Sequence, residues 1–384
     1  MMARSTSIYW KKSSKQTRFK TEHKKHIMIN QQADHRHDKG RGAQYNPKNK
    51  YLKNEYVQEH SEGIDDWEQE KRHTEYIYDD SRTLVNKVTS PDVGMMYSAN
   101  PYQGCEHGCI YCYARNSHEY WGYSAGVDFE SRIVVKKNAP ALLKKFFENK
   151  NWQPAPISLS GNTDCYQPIE RKMRITRKLL EICLDFRNPV GILTKNALVL
   201  RDLDLLQELN KYGLVSVFSS ITSLDEDLRR VLEPRTASYR SRLKVVETLS
   251  KAGIPTGIMN APIIPGLNDN HMHDVLKAAS EAGAQRAGYT VVRLNGAIGG
   301  IFKDWLFKSF PDRADKVWNM ISACHNGQVN DSRFSNRIVG DGKYAELIRT
   351  QFKLYCNKFG LNKIDSQLNT QNFRRIRHSQ LPLF

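Results

Sequence analysis

From about residue 92 onward, short apolar runs alternate with stretches of helical period. Residues 157–160 and 190–194 are apolar runs of strand length. Between them, residues 172–187 place Ile175, Leu179, Ile182 and Phe186 on one helical face. Helical patterns recur at 200–212, 240–252 and 271–282, and apolar strands at 214–221, 254–264 and 289–294. Those three helices each stop at a glycine, Gly213, Gly253 and Gly283, and a strand follows at once. Glycine tolerates the left-handed conformation that ends a helix. Repeated strand–helix units predict a parallel sheet joined by right-handed crossovers. Five or six units fit between residues 93 and 295, too few for a closed eightfold barrel. The expected fold is therefore α/β, a partial (β/α)6 TIM-like barrel, with its chemistry at the carboxyl ends of the strands.

The flanks differ from this core. Residues 1–60 are rich in Lys, His, Asn and Gln without a sustained apolar period, so a disordered basic N-terminal tail is expected. Residues 61–92 form a lead-in segment, and 93–295 the barrel. A helical C-terminal extension is expected over 296–360, with helices at 301–310, 313–325 and 344–359 punctuated by Pro311 and Gly327. Residues 361–384 are a basic tail.

Composition narrows the class. The 384 residues are 39% hydrophobic and 10% aromatic, with mean hydropathy −0.63. No run approaches the length of a membrane span, and the aromatic content is too high for a wholly disordered chain. The first residues lack an apolar signal core, so a cytoplasmic protein with reduced cysteines is expected. The net charge is +17, yet residues 1–50 carry 13 Lys and Arg against 3 Asp and Glu, which leaves only +7 on the other 334. Such an arm attracts nucleic acid without reading its sequence, or is merely a solvated terminus. Met28 is an alternative start, which would remove part of that excess. His35 and His37 lie among Asp34 and Asp38, a pattern of either a metal site or an unordered His-rich tract.

The densest chemistry is Gly104-Cys105-Glu106-His107-Gly108-Cys109-Ile110-Tyr111-Cys112-Tyr113, three cysteines at C-x3-C-x2-C. A helix would scatter them and a strand would alternate them, whereas a glycine-containing loop can curl three thiolates around one centre. Thiolates suit iron–sulfur clusters or zinc. Structural zinc and ordinary 4Fe–4S clusters take four protein ligands. Here the remaining cysteines, Cys165, Cys183, Cys324 and Cys356, are scattered. A three-cysteine cluster leaves one iron open to bind and activate a substrate. Cys183 falls on the 172–187 helix and reads as packing. Cys324 and His325 near Asp331 are too few ligands for a second metal site.

This loop, with an aromatic residue before its third cysteine, resembles the radical S-adenosylmethionine (SAM) superfamily. The flanking Asn100-Pro101-Tyr102-Gln103-Gly104 and Tyr113-Ala114-Arg115 resemble the branch of spore photoproduct lyase and the DNA repair photolyase-like proteins. So do Asn162-Thr163-Asp164-Cys165-Tyr166-Gln167-Pro168-Ile169-Glu170 and Glu233-Pro234-Arg235. The resemblance runs from about Arg41 to the C-terminus. It implies a 4Fe–4S cluster on Cys105, Cys109 and Cys112, with S-adenosyl-L-methionine chelated by the open iron. One electron, from a donor such as flavodoxin or ferredoxin, then cleaves the sulfonium to a 5′-deoxyadenosyl radical that abstracts hydrogen. By position, Tyr111 flanks the adenine, and Asn162 and Asp164 are candidates for the methionine ammonium. Ser220, Thr222 and Ser223 are candidates for the ribose or carboxylate, or else ordinary helix capping before Asp225. Residues 263–266 would offer backbone to the adenine. Lys195 would meet a carboxylate or phosphate, or is a solvated loop lysine. Cys165 is the candidate hydrogen donor to a substrate radical, or an incidental thiol.

The last residues, Gln380-Leu381-Pro382-Leu383-Phe384, resemble the peptide by which bacterial repair proteins dock on the β sliding clamp. Two leucines and a phenylalanine can fill a hydrophobic groove while the glutamine fixes register. The alternative is a tail folded back on its own core. Arg374, Arg375 and Arg377 upstream favour nearby DNA. The expected function is therefore a radical SAM, lyase-like enzyme acting on damaged DNA. Radical modification of RNA or protein is the first alternative, and a non-catalytic iron–sulfur protein for binding or electron transfer the second.

Overall fold

The computed structural model describes residues 40–52, 73–364 and 367–376. His35, His37, Met28, Arg377 and the Gln380–Phe384 peptide lie outside the described residues. The described residues all belong to one compact unit.

The strands are β1 (Glu75–Asp79), β2 (Val85–Lys87), β3 (Tyr97–Ala99), β4 (Tyr102–Gln103), β5 (Arg132–Lys136), β6 (Ile157–Leu159), β7 (Val190–Thr194), β8 (Val215–Ser220), β9 (Thr256–Ile263) and β10 (Arg286–Val291). The main sheet has seven strands in the order β10-β9-β8-β7-β6-β3-β2. The six from β3 to β10 run parallel, and β2 adds antiparallel to β3 at one edge. This is the expected partial (β/α)6 barrel. A second sheet, β1-β5-β4, was not foreseen.

Helices α1 (Ala139–Glu148), α2 (Ile175–Phe186), α3 (Leu203–Asn210), α4 (Glu226–Leu232), α5 (Tyr239–Lys251) and α6 (Met272–Glu281) cover the sheet. The α2 stripe Ile175, Leu179, Leu180, Cys183 and Phe186 is buried against Leu159, Val190, Ile192 and Val217 of the sheet. Gly213, Gly253 and Gly283 all have positive φ, as helix-ending glycines should. The helix expected at 172–187 is broken at Arg174, which adopts φ 53°, so a single turn Glu170–Met173 precedes α2. The 200–212 helix is likewise a 3-10 turn, Ala197–Asp202, followed by α3. The strand expected at 289–294 is earlier, Arg286–Val291.

Three further helices follow: α7 (Ile298–Ser309), α8 (Ala314–Ala323) and α9 (Lys343–Lys358). The first buries Ile298, Ile301, Phe302, Trp305 and Leu306 in a core that also holds Cys109, Ile110 and Tyr111 of the cysteine loop. Among the described residues, no helix is long and apolar enough to cross a membrane.

Candidate active site

The cysteine loop leaves β4 and lies over the carboxyl ends of the parallel strands. Its backbone needs two left-handed glycines. At Gly104, φ 79°, a Cβ would stand 2.8 Å from Arg132 O; at Gly108, φ 66°, it would stand 2.8 Å from Glu130 Oε2. The loop is fixed from behind by an ion pair between Arg115 and Glu130, both without exposed surface. Arg115 Nε donates to Cys109 O at 3.0 Å, and a terminal nitrogen donates to Gly108 O at 3.2 Å. Glu130 accepts the Gly42 and Ala43 N–H groups at 3.0 and 2.8 Å. On the other side Gln167 accepts from Glu106 N at 3.0 Å and donates to Gly104 O at 3.1 Å. Glu106 accepts the Ile169 N–H at 3.0 Å. Much of the loop's polar backbone is thus matched, as buried backbone requires.

Cys105 and Cys109 are buried and Cys112 is partly so, all as free thiols. Burial pushes all three thiols up, and for Cys105 the neighbouring Asp164, Cys109 and Cys112 push further. Lys195 acts against that rise at Cys109, as do Arg115 and Lys195 at Cys112. Among the described residues, no trio of His, Cys, Asp or Glu closes on a single ion. That absence extends to Cys324 and His325. A three-cysteine cluster site is a different case, because each sulfur holds a different iron and the ligands stand apart. Three soft donors, two of them buried, within electrostatic reach of one another and with two cations favouring the thiolate, fit that donor set.

Around the loop the remaining predicted residues form two networks. In the first, Asp164 accepts from Thr194 Oγ1 at 2.8 and 3.1 Å, Lys195 N at 2.8 Å and Tyr166 N at 2.8 Å. His107 Nδ1 lies 3.3 Å from its Oδ2. Burial alone would raise the Asp164 carboxyl, but His107 and the two N–H donors hold it below its ordinary value. Its acceptor capacity is filled. Asn162 is more open: Nδ2 donates to Gln103 Oε1 and Ser117 Oγ at 3.0 Å each, and its Oδ1 has only a 3.4 Å contact from Ser117 Oγ.

The second network centres on Glu233, which has no exposed surface. It accepts from the Tyr111 hydroxyl, from Thr222 Oγ1 at 3.1 Å and from Arg242 at 2.6 Å. Burial raises its carboxyl, yet Arg242, Lys195 and Tyr111 together bring it down to about 2. Lys195 Nζ donates to Ser220 Oγ at 2.6 Å and stands 5.8 Å from the Tyr111 ring centre. So the structure brings Tyr111, Lys195, Ser220 and Thr222 together. Asp225 itself caps α4 through Asp227 N and Leu228 N, and of the Ser/Thr run Ser223 alone bonds the backbone at that helix start. Ser223 Oγ accepts from Asp225 N at 2.9 Å and pairs with His271. At 263–266 the Ile264 and Gly266 N–H groups are taken by Asn268 and Asp269.

Cys165 adjoins Asp164 of the first network but faces the core. It has no exposed surface and packs in the main core with Tyr102, Tyr166 and Ile169. Sequence reasoning gave no role to Glu233, Arg242, Arg115, Glu130 or Gln167. Glu233 and Gln167 fall inside segments singled out by resemblance, but Arg242 and Glu130 are charged residues in ordinary helical surroundings, and only their burial reveals them.

The radical SAM superfamily model matches residues 99–279. An uncharacterised protein of Mycobacterium tuberculosis is 32% identical over 234 residues, 60% of this chain and 69% of that one. Among solved structures, spore photoproduct lyase complexed with dinucleoside spore photoproduct has a TM-score of 0.56 at 17% identity, covering 74% of this chain and 80% of that chain. A substituted form of that lyase with bound AdoMet and dinucleoside spore photoproduct gives 0.55 at 16% identity, over the same shares. At such identities the likeness to the lyase is one of fold. The matched segment begins at the end of β3 and runs to α6, taking in the cysteine loop and the strand ends on which it rests, and by that match the chain belongs to the radical SAM superfamily of enzymes.

Proposed function

We propose that Cys105, Cys109 and Cys112 hold a 4Fe–4S cluster, that S-adenosyl-L-methionine binds beside it, and that the enzyme abstracts hydrogen from damaged DNA in a photoproduct lyase-like repair. The observation that carries this reading is the three-thiol loop, buried over the strand ends with Lys195 and Arg115 beside it. When bound, cluster and SAM would supply one-electron sulfonium cleavage and a hydrogen-abstracting radical.

The chain's own residues divide the rest. Asn162 keeps acceptor capacity at Oδ1, which supports it as the acceptor for the methionine ammonium. Asp164, already filled by Thr194, Lys195 N and His107, is a positioning residue that ties the ends of β6 and β7 to the loop. Tyr111 is held by Glu233, which supports the reading that its ring flanks the adenine. Lys195 offers the ammonium that a carboxylate needs. Cys165 would have to reach substrate from a fully enclosed position, so we assign it to the scaffold.

DNA is favoured by the shared fold with a lyase solved on a dinucleoside photoproduct and by the +17 charge. A flavodoxin or ferredoxin would deliver the electron, and a cytoplasmic setting would keep the thiols reduced. The β clamp reading rests on the last five residues alone.

The test is anaerobic reconstitution followed by product analysis with UV-irradiated DNA, undamaged DNA and RNA. Release of 5′-deoxyadenosine with repair of irradiated DNA only is the expected result. Turnover on RNA or protein instead would move the substrate. A bound cluster without SAM cleavage would make this an electron-transfer or binding protein. Replacing all three cysteines with alanine should abolish iron retention and cleavage together.

A further inference from the structure

The two edges of the open sheet are bridged by a polar clasp. The β2–β3 connection brings Asp92 to the 331–337 segment, where it accepts from Ser335 N at 2.8 Å and Arg337 Nε at 2.5 Å. Arg337 also donates to Ser90. The clasp segment is continuous with β10, because Val291 N donates to Ile338 O at 2.8 Å and Leu294 N to Val329 O at 2.9 Å.

Beyond β10 the chain alternates. Val292 and Leu294 enter the core beneath the cysteine loop, while Arg293 and Asn295 are half-buried on the opposite side. Arg293 has no hydrogen bond or ion pair to any described residue. The charged groups facing it are Arg337, Asp92 and Asp331, with His325 also in range. Each of these already has another partner, while the buried Nδ1 of His325 has none. Asp92 is taken by Arg337 and Ser335 N, and Asp331 by four contacts from Arg333, the closest 2.6 Å. His325 Nε2 meets Val292 O at 2.7 Å. Two residues along, the buried Oδ1 of Asn295 lacks a partner as well. A side-chain amide can turn to present either oxygen or nitrogen.

We infer that Arg293, with the Asn295 amide, is an anion site at the opening of the barrel, and that it takes a phosphodiester group of a DNA strand. The identity of the ligand rests on the reading above. The site itself rests on an unspent planar fork of five donors, half shielded from water, between carboxylates already satisfied by other arginines. A phosphate there would anchor a strand across the clasp, where Phe334 and Met96 are also exposed.

The test is equilibrium binding of a labelled single-stranded oligodeoxynucleotide to the full chain over a range of salt, with an oligoribonucleotide in parallel. Arg293→Ala should bind about tenfold more weakly and lower the salt slope by about one. Arg293→Lys, which keeps the charge, should recover the slope. Lys251→Ala, on the exposed end of α5, should leave it unchanged. Tight deoxynucleotide binding by Arg293→Ala with the parent slope overturns the site and leaves the DNA reading standing. Arg293-dependent binding of RNA alone keeps the site and overturns DNA as its ligand. If the parent binds neither strand, the nucleic-acid reading falls and inorganic phosphate decides the site. A phosphate-induced rise in melting temperature that Arg293→Ala loses supports it, and an equal rise in both overturns it.

Discussion

Glu233 is the residue on which the Tyr111 side of the site turns, and Glu233→Gln is the sharpest perturbation of it. The change keeps an oxygen for Tyr111 and Thr222 but leaves Arg242 as a buried cation without its counter-charge. Arg242 would retain only neutral acceptors, including Ser220 O at 2.9 Å and Ala237 O at 2.9 Å. The carboxyl falls from an ordinary 4.5 to about 2, a shift worth roughly 3 kcal/mol of folding stability. Breaking a buried pair from one side costs about 3–5 kcal/mol, which agrees. Because the folded-state value is depressed, this contribution is complete at neutral pH. It fades as pH falls below the unfolded value of 4.5 toward 2. Urea melts followed by near-UV circular dichroism should therefore separate parent and variant by about 3 kcal/mol at neutral pH. The gap should be about 1 kcal/mol smaller near pH 3.5, where the unfolded carboxyl is mostly protonated. Glu233→Leu with Arg242→Met, which removes both charges, should recover most of the loss. A Glu233→Gln gap below about 1 kcal/mol, or one that stays constant across that pH range, would refute the reasoning.

Gly108→Ala should lose about 1–3 kcal/mol, because φ 66° is strained for alanine and its Cβ would press on Glu130 at 2.8 Å; reconstituted iron per chain, measured by absorbance and metal analysis, should drop with it. Cys165→Ala should still release 5′-deoxyadenosine at close to the parent rate, at a cost of about 1 kcal/mol from a small core void; loss of substrate turnover with retained SAM cleavage would instead make Cys165 the hydrogen donor. A peptide of the last twenty or so residues should capture β sliding clamp, and Leu383→Ala with Phe384→Ala should abolish capture; no capture by the parent peptide removes the clamp reading.

What was legible in the sequence was local and periodic. The apolar stripe of α2 and the glycines that end helices state their structure within a few residues, so the parallel sheet could be counted in advance. The cysteine loop pointed to the radical SAM superfamily for the same reason. The small sheet was not legible, since β1 meets β5 across more than fifty residues, with Ile77 against Val134. The break at Arg174 was hidden because the apolar spacing of α2 is unaffected by a left-handed residue before its first turn. The charged scaffold of the site was hidden for a different reason. Arg115 and Glu130, like Glu233 and Arg242, are polar residues of the kind that normally face water. Their burial follows from what the cysteine loop needs behind it, and no local pattern encodes that.

These two buried ion pairs explain how the loop holds its course before any cofactor arrives. Many small metal sites are unfolded until metal binds, because the ligands are all that orders them. Here the loop carbonyls of Gly108 and Cys109 are bonded to Arg115, and Gly104 O to Gln167. Arg115 is in turn neutralised by Glu130, which also anchors the chain at Gly42 and Ala43. Tyr111, between the second and third cysteines, is tied to Glu233 and so to Arg242 on α5. The order of the loop therefore comes from side chains outside it, one near in sequence and the others distant, and metal is left with little ordering to do. On the proposed reading, cluster binding would spend its free energy on retention, and the apo-protein would stay folded with the three thiols gathered. That arrangement costs stability, since two ion pairs are kept where apolar residues would pack as well or better. The cost makes sense only if the loop must keep its shape both without a cluster and with one, which is the requirement on an enzyme that is loaded after it folds.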